Sequence, residues 1–121
     1  MKINYRKQNE FIIFDIEGDF RKTEVMDVTL HQLVKDQLDS GNKKFLLNFE
    51  KVGSIDSCCV GEIVSSYISI NNMGGKLLRA NTPKKIEVIF KVTGLERIIP
   101  NHEGVEQAIR SLQNTKQDKH I

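Results

Sequence analysis

What this chain lacks narrows its role before any motif is read. No apolar stretch reaches the roughly 18 to 20 residues that span a bilayer, and the first residues lack the apolar core of a signal peptide, so a cytoplasmic protein without a membrane partner is expected. Charge of one sign is not in excess: 18 basic residues stand against 16 acidic ones. Nucleic acid is therefore not an expected partner, since a basic stripe set with aromatics would be its footprint. There are only two cysteines, Cys58 and Cys59, and they are adjacent, where a disulfide would be strained and would close no loop. A reducing compartment fits both facts. The pair lacks C-x-x-C spacing, and Val64 and Ser65, not arginine, stand six residues after each cysteine, so a thiol-dependent enzyme is the weakest reading.

Chemical signatures are missing as well. Gly61 is not followed by the lysine of a phosphate-cradling loop, and neither G-x-G-x-x-G nor G-x-S-x-G occurs. Nucleotide hydrolysis, hydride transfer and hydrolase-type acyl chemistry lose their usual marks. His31, His102 and His120 fall in a helix, a turn and the tail, so neither a metal nor another cofactor is expected.

What is present is one folded domain of 121 residues, 39% hydrophobic and 28% charged with both signs mixed. Lys2 to Lys7 alternate loosely and Phe11 to Ile16 form a strong β run, with Gln8-Asn9-Glu10 as the hairpin turn between them. Gly18-Asp19-Phe20 breaks the second strand, and Thr23 caps a helix with Met26, Leu30, Leu33, Val34 and Leu38 on one side, ended by Gly41. Phe45 to Phe49 reads as a strand buried on both faces. After it, Val52 to Gly61 turns from strand to helix, with Asp56 or Ser57 as N-cap and Val60, Ile63, Val64, Tyr67 and Ile68 on the buried face.

Gly74-Gly75 stops that helix, and Lys76 to Asn81 is a short strand. Thr82 and Pro83 then read as N-cap and first residue of a helix with Ile86, Ile89 and Phe90 inward, closed by Gly94. Ile98-Ile99 makes a brief strand, and a last helix carries Val105, Ala108, Ile109 and Leu112, with a frayed tail from Gln113. The order β-β-α-β-α-β-α-β-α predicts an α/β fold: a mixed sheet with an antiparallel N-terminal hairpin, later strands parallel, and helices covering it. Sites in such folds lie beyond the carboxyl ends of the strands, which places the Asp56-Ser57 loop and the Asn81-Thr82 loop together as candidates.

Three segments in combination, Ile55-Asp56-Ser57, Gly74-Gly75-Lys76-Leu77 and Thr93-Gly94-Leu95-Glu96-Arg97-Ile98-Ile99, resemble the STAS domain family. Within it, the likeness is to the small anti-sigma factor antagonists of bacterial partner-switching systems, from about Tyr5 to Leu112. The resemblance implies a non-enzymatic binder of a kinase-type anti-sigma factor, freeing a sigma factor when bound. It implies phosphorylation on Ser57 by that kinase and reversal by a phosphoserine phosphatase. Residues 1–113 would form the STAS domain, a monomer or weak dimer, with 114–121 as a flexible tail. The docking surface would comprise Asp56, Ser57, Cys58, Cys59 and Gly61, bordered by Asp19 and Arg21 and by Asn81 and Thr82. Where the family usually has a hydroxyl residue and a glycine, this chain has Cys58 and Cys59. A STAS scaffold or ligand-sensing module that is not phosphorylated is the second reading.

Overall fold

The computed structural model describes residues 2–20 and 29–118. Strands β1 (Lys2–Gln8) and β2 (Phe11–Phe20) pair as an antiparallel hairpin. Its two turn residues, Asn9 and Glu10, both have positive φ, 49° and 71°. That is the backbone twist a two-residue hairpin needs to match its right-handed strands. Then follow α1 (Leu30–Asp39), β3 (Lys44–Ile55), α2 (Ser57–Asn72), β4 (Lys76–Ala80), α3 (Lys84–Thr93), α4 (Leu95–Ile98), β5 (Asn101–His102) and α5 (Val105–Asp118). The sheet order is β1-β2-β3-β4-β5, parallel from β2 onward, as the alternating pattern predicts.

Because the strand order follows the chain order, right-handed crossovers carry every connecting helix to one side of the sheet. Strand residues alternate accordingly. Ile12, Phe14, Ile16, Phe45, Leu47 and Phe49 pack with α1 to α4 in the larger core, and Phe11, Ile13, Leu46 and Ala80 pack with Ala108 and Ile109 of α5 on the other face.

Several boundaries differ from the pattern reading. β2 does not break at Gly18 but runs to Phe20, accommodating Gly18 at φ 86° through register shifts against β3 between Asp15 and Glu17 and between Gly18 and Asp19. β3 likewise runs to Ile55, so Val52 to Ile55 are strand and only Asp56 separates it from α2. α1 begins at Leu30, capped by Thr29, whose Oγ1 accepts the Gln32 N–H at 3.1 Å; Thr23 and Met26 lie outside the described residues. In α2 the buried stripe is Cys59, Ile63, Ser66 and Ile70, while Ile68 is exposed. Ser66 tolerates burial because its hydroxyl donates to the Glu62 carbonyl at 2.7 Å. Ile98 ends a short helix instead of starting a strand, and the last strand is only Asn101–His102. The final helix continues to Asp118, past the last apolar residue of its stripe.

One charged residue ties β4 to α3 on the face of the larger core. Arg79 is fully buried; its guanidinium forks onto the Glu87 carboxylate at 2.7 and 2.8 Å, donates to the Ile99 carbonyl at 2.6 Å and to Thr82 Oγ1 at 2.7 Å, and lies 3.9 Å from the Phe90 ring centroid. Thr82 is thereby engaged, and the cap position of α3 falls to Pro83 instead. Hydrogen bonding to Arg79 holds the Glu87 carboxyl below its ordinary range, against a smaller opposing effect of burial.

A depressed carboxylate contributes stability above its unfolded value, near 4.3, and that contribution disappears as pH falls toward its folded value. The urea midpoint should therefore drop on acidification below about pH 4.5, and Glu87→Gln should be less stable at neutral pH yet flatter across that window. An unchanged acid slope in Glu87→Gln would remove this residue from the pH response.

Candidate functional site

The end of β3 delivers the chain into α2 with almost no loop. Asp56 has extended backbone (φ −107°, ψ 172°), and its Oδ1 accepts the Cys59 N–H at 2.9 Å while its carbonyl accepts the Val60 N–H at 3.0 Å. This is an N-cap: a carboxylate satisfies a donor that the first turn would otherwise leave unpaired. Ser57 is thus the first helical residue, and it is exposed, as are Cys58 and Gly61. Asp56 fixes where the helix begins, and Ser57 projects its hydroxyl from that beginning.

Asp19 joins this corner. It pairs in register with Ser54, whose hydroxyl donates to Asp19 Oδ1 at 2.9 Å, and the next pair along is Phe20 with Ile55. Two carboxylates, Asp19 and Asp56, therefore flank the tip of the β2–β3 ribbon that leads to Ser57. Arg21 lies outside the described residues. Asn81 and Thr82 answer to other groups: Asn81, at φ 59°, donates through Nδ2 to Asn48 Oδ1 at 3.1 Å, and the Thr82 N–H donates to Asn101 Oδ1 at 3.1 Å. β4 ends opposite Asn48, whereas β3 continues to Ile55. The two loops consequently emerge at different levels along β3.

The adjacent cysteines divide between surface and interior. Cys58 is exposed, whereas Cys59 is 1% exposed and belongs to the larger core, which removes Cys59 from any docking surface. Burial, reinforced by the Asp56 carboxylate, pushes the Cys59 thiol up to about 12. Such a thiol holds roughly a thousandth of the thiolate of an ordinary cysteine at neutral pH. Iodoacetamide should label Cys58 in the native protein and Cys59 only after unfolding, as peptide mass mapping would show. Rapid native labelling of Cys59 would contradict this placement.

Three features escaped pattern reading. The Arg79 cluster is one; a lone arginine in Leu77-Leu78-Arg79-Ala80 was its trace. The second is Glu62, which accepts the His31 N–H at 3.1 Å and so ties the start of α1 to α2, alongside a 2.9 Å bond between His31 Nε2 and Ser69 Oγ. The third is a polar ladder across the sheet: Arg6 Nε donates to Asp15 Oδ2 at 2.9 Å, and Asn48 Nδ2 to Asp15 Oδ1 at 2.8 Å, continuing to Asn81. Asn48, interrupting an apolar run, signalled it. Among the described residues no three His, Cys, Asp or Glu side chains are grouped to hold a metal ion, and no helix is long and apolar enough to cross a membrane.

The STAS domain family matches residues 2–108. The chain belongs to that family. Members are non-catalytic regulatory modules. This STAS domain is 30% identical over 76 residues to a protein of Thermotoga neapolitana assigned as an anti-sigma factor antagonist, covering 63% of this chain and 67% of that one. A Thermotoga maritima protein assigned likewise is 31% identical over 75 residues, 62% of this chain and 66% of that one. Among solved structures, the crystal structure of a Thermotoga maritima protein with the same assignment superposes with a TM-score of 0.79 at 24% identity, covering 92% of this chain and 94% of the other. SpoIIAA of Bacillus in its phosphorylated form superposes with a TM-score of 0.71 at 17% identity, covering 92% and 99%. At those identities the superpositions speak for the fold.

Proposed function

We propose that this STAS domain is a cytoplasmic anti-sigma factor antagonist: unphosphorylated, it binds a kinase-type anti-sigma factor and releases a sigma factor, and phosphorylation of Ser57 by that kinase abolishes binding until a phosphoserine phosphatase reverses it. The observation that carries the reading is an exposed hydroxyl on the first residue of α2, beside the capping Asp56. The relatives assigned as anti-sigma factor antagonists support it. The docking surface would be built from Asp56, Ser57, Cys58 and Gly61, with Asp19 at its border. The module would be residues 1–113, monomeric or weakly dimeric, with 114–121 as an appendage.

A helix start suits a phosphate acceptor. The N–H groups of the first turn and the helix dipole favour added negative charge by about 0.3–1 kcal/mol, so the fold should survive the modification. The cost falls on docking, where a near-dianion beside Asp56 and Asp19 must be desolvated against the partner.

Gly61 separates the two contributions. A Cβ built there meets nothing within 4 Å. Gly61→Ala should therefore stabilise the helix by about 0.5–1 kcal/mol while weakening partner binding, if the bare backbone is where the partner approaches closely. Unfolding and titration experiments on this one variant read the two effects independently.

The test of the proposal is displacement. Added to a preformed complex of a kinase-type anti-sigma factor with its sigma factor, the chain should release the sigma factor, and the chain phosphorylated on Ser57 should not. Failure of the unphosphorylated chain to bind would favour the scaffold or ligand-sensing reading.

A further inference from the structure

Among the described residues the sheet has one long open edge. β1 is the outermost strand, seven residues long, and Lys2, Asn4, Tyr5, Arg6 and Lys7 are all exposed; the opposite edge, β5, has only two residues. An edge strand presents a row of backbone donors and acceptors on its outer side, which another extended segment can complete. β1 has no acidic residue. Its Arg6 is partnered by Asp15 at 2.9 Å, whereas Lys7 lies opposite Ile12, and Lys2 lies opposite Glu17, whose carboxylate also reaches Lys51 at 3.8 Å.

The charge pattern selects the occupant. Two copies of β1 would bring six cations and no carboxylate of their own into one short ribbon, and that summed like charge disfavours self-pairing. An acidic segment meets the opposite condition.

The side chains sharpen the match. On the face turned toward the helices, Tyr5 is 56% exposed, with its ring centroid 6.2 Å from that of Phe14, and Lys7 follows two residues on along the same face. On the other face, Asn4 and Arg6 border a polar cleft of about 320 Å³ that also holds Asp15, Glu17, Glu50 and Lys51, so the carboxylates of an acidic segment belong on the Tyr5–Lys7 face. We propose that β1 is a second docking edge, taking an extended acidic segment of a partner protein as an added strand, with an apolar side chain on Tyr5 and a carboxylate on Lys7. This surface is distinct from the one around Ser57.

The test uses the whole chain and a labelled synthetic peptide, Thr-Glu-Thr-Val-Thr-Glu-Thr, which places its two glutamates and valine on one face of a strand. Amide shifts should concentrate on β1, with slowed hydrogen exchange at alternate β1 amides. Lys7→Glu should weaken binding by about tenfold or more, with circular dichroism unchanged. On the unmodified chain, the peptide with lysine in place of glutamate should bind at least about tenfold more weakly, which keeps the test independent of whether the variant folds. Ser57→Asp should leave the peptide's affinity unaltered, separating this proposal from the one above. The proposal is overturned by shifts centred away from β1, by equal binding of the two peptides, or by no binding at millimolar peptide.

Discussion

Arg79→Ala is expected to lower the stability of the domain by about 3–5 kcal/mol, the range found when one partner of a buried ion pair is removed. Several losses coincide. Glu87, whose side chain is only 18% exposed, would keep its charge without its fork of donors. The Ile99 carbonyl and Thr82 Oγ1 would lose their donor, and the Phe90 ring its guanidinium neighbour. A further contribution comes from the space the long side chain vacates. Set against the 5–15 kcal/mol that holds typical domains together, this is enough to populate the unfolded state visibly. Denaturant unfolding measures it directly. The companion variant Arg79→Met/Glu87→Gln should recover part of the loss, because the buried unpaired charge is gone. A cost below about 1 kcal/mol for Arg79→Ala would mean that the cluster is incidental to stability.

Phosphorylation of Ser57 is expected to weaken binding to the anti-sigma factor by about a hundredfold or more, equivalent to roughly 2.7 kcal/mol. The domain's own unfolding midpoint should hardly move. The two halves of this expectation have separate causes. In the proposed interface, a near-dianion would join Asp56 and Asp19 near the tip of the β2–β3 ribbon, and covering it would strip water from those charges. Within the domain, the same group sits where the helix dipole favours it, outside the core that Cys59 and Ile63 help to form. Titration calorimetry with the purified partner and urea unfolding of the modified chain read the two separately. Ser57→Ala should bind normally and resist modification.

Much of the architecture was legible because periodicity reports it. The unbroken apolar run from Phe11 to Phe14 and the helical spacing of Ile86 and Phe90 are local consequences of which faces are buried, and the parallel sheet follows from the order of the elements. Boundaries were less legible where two residues of the same type compete. Thr23 and Thr29 both suit an N-cap, and only packing of Leu30 against the sheet shows the second in use. A glycine in a strand reads as a stop, yet at Gly18 the chain uses it for a bulge and carries on. β5 escaped because a two-residue strand has no period.

The site was legible in part. Asp56 and Ser57 announced a helix start by chemistry alone, while the assignment between cap and first residue needed the 2.9 Å bond to the Cys59 N–H. Burial separates Cys59 from Cys58, a distinction two neighbouring identical residues could not carry in sequence. The engagement of Thr82 by Arg79 is a tertiary fact: a buried guanidinium in a short strand is explained only by the carboxylate, carbonyl and ring that surround it.

The most direct measurement is site-resolved phosphorylation. Incubated with its cognate kinase and ATP, the chain should gain one phosphoryl group on the peptide containing Ser57, and Ser57→Ala should gain none. Incorporation at a different residue, or no incorporation with an active kinase, would contradict the account.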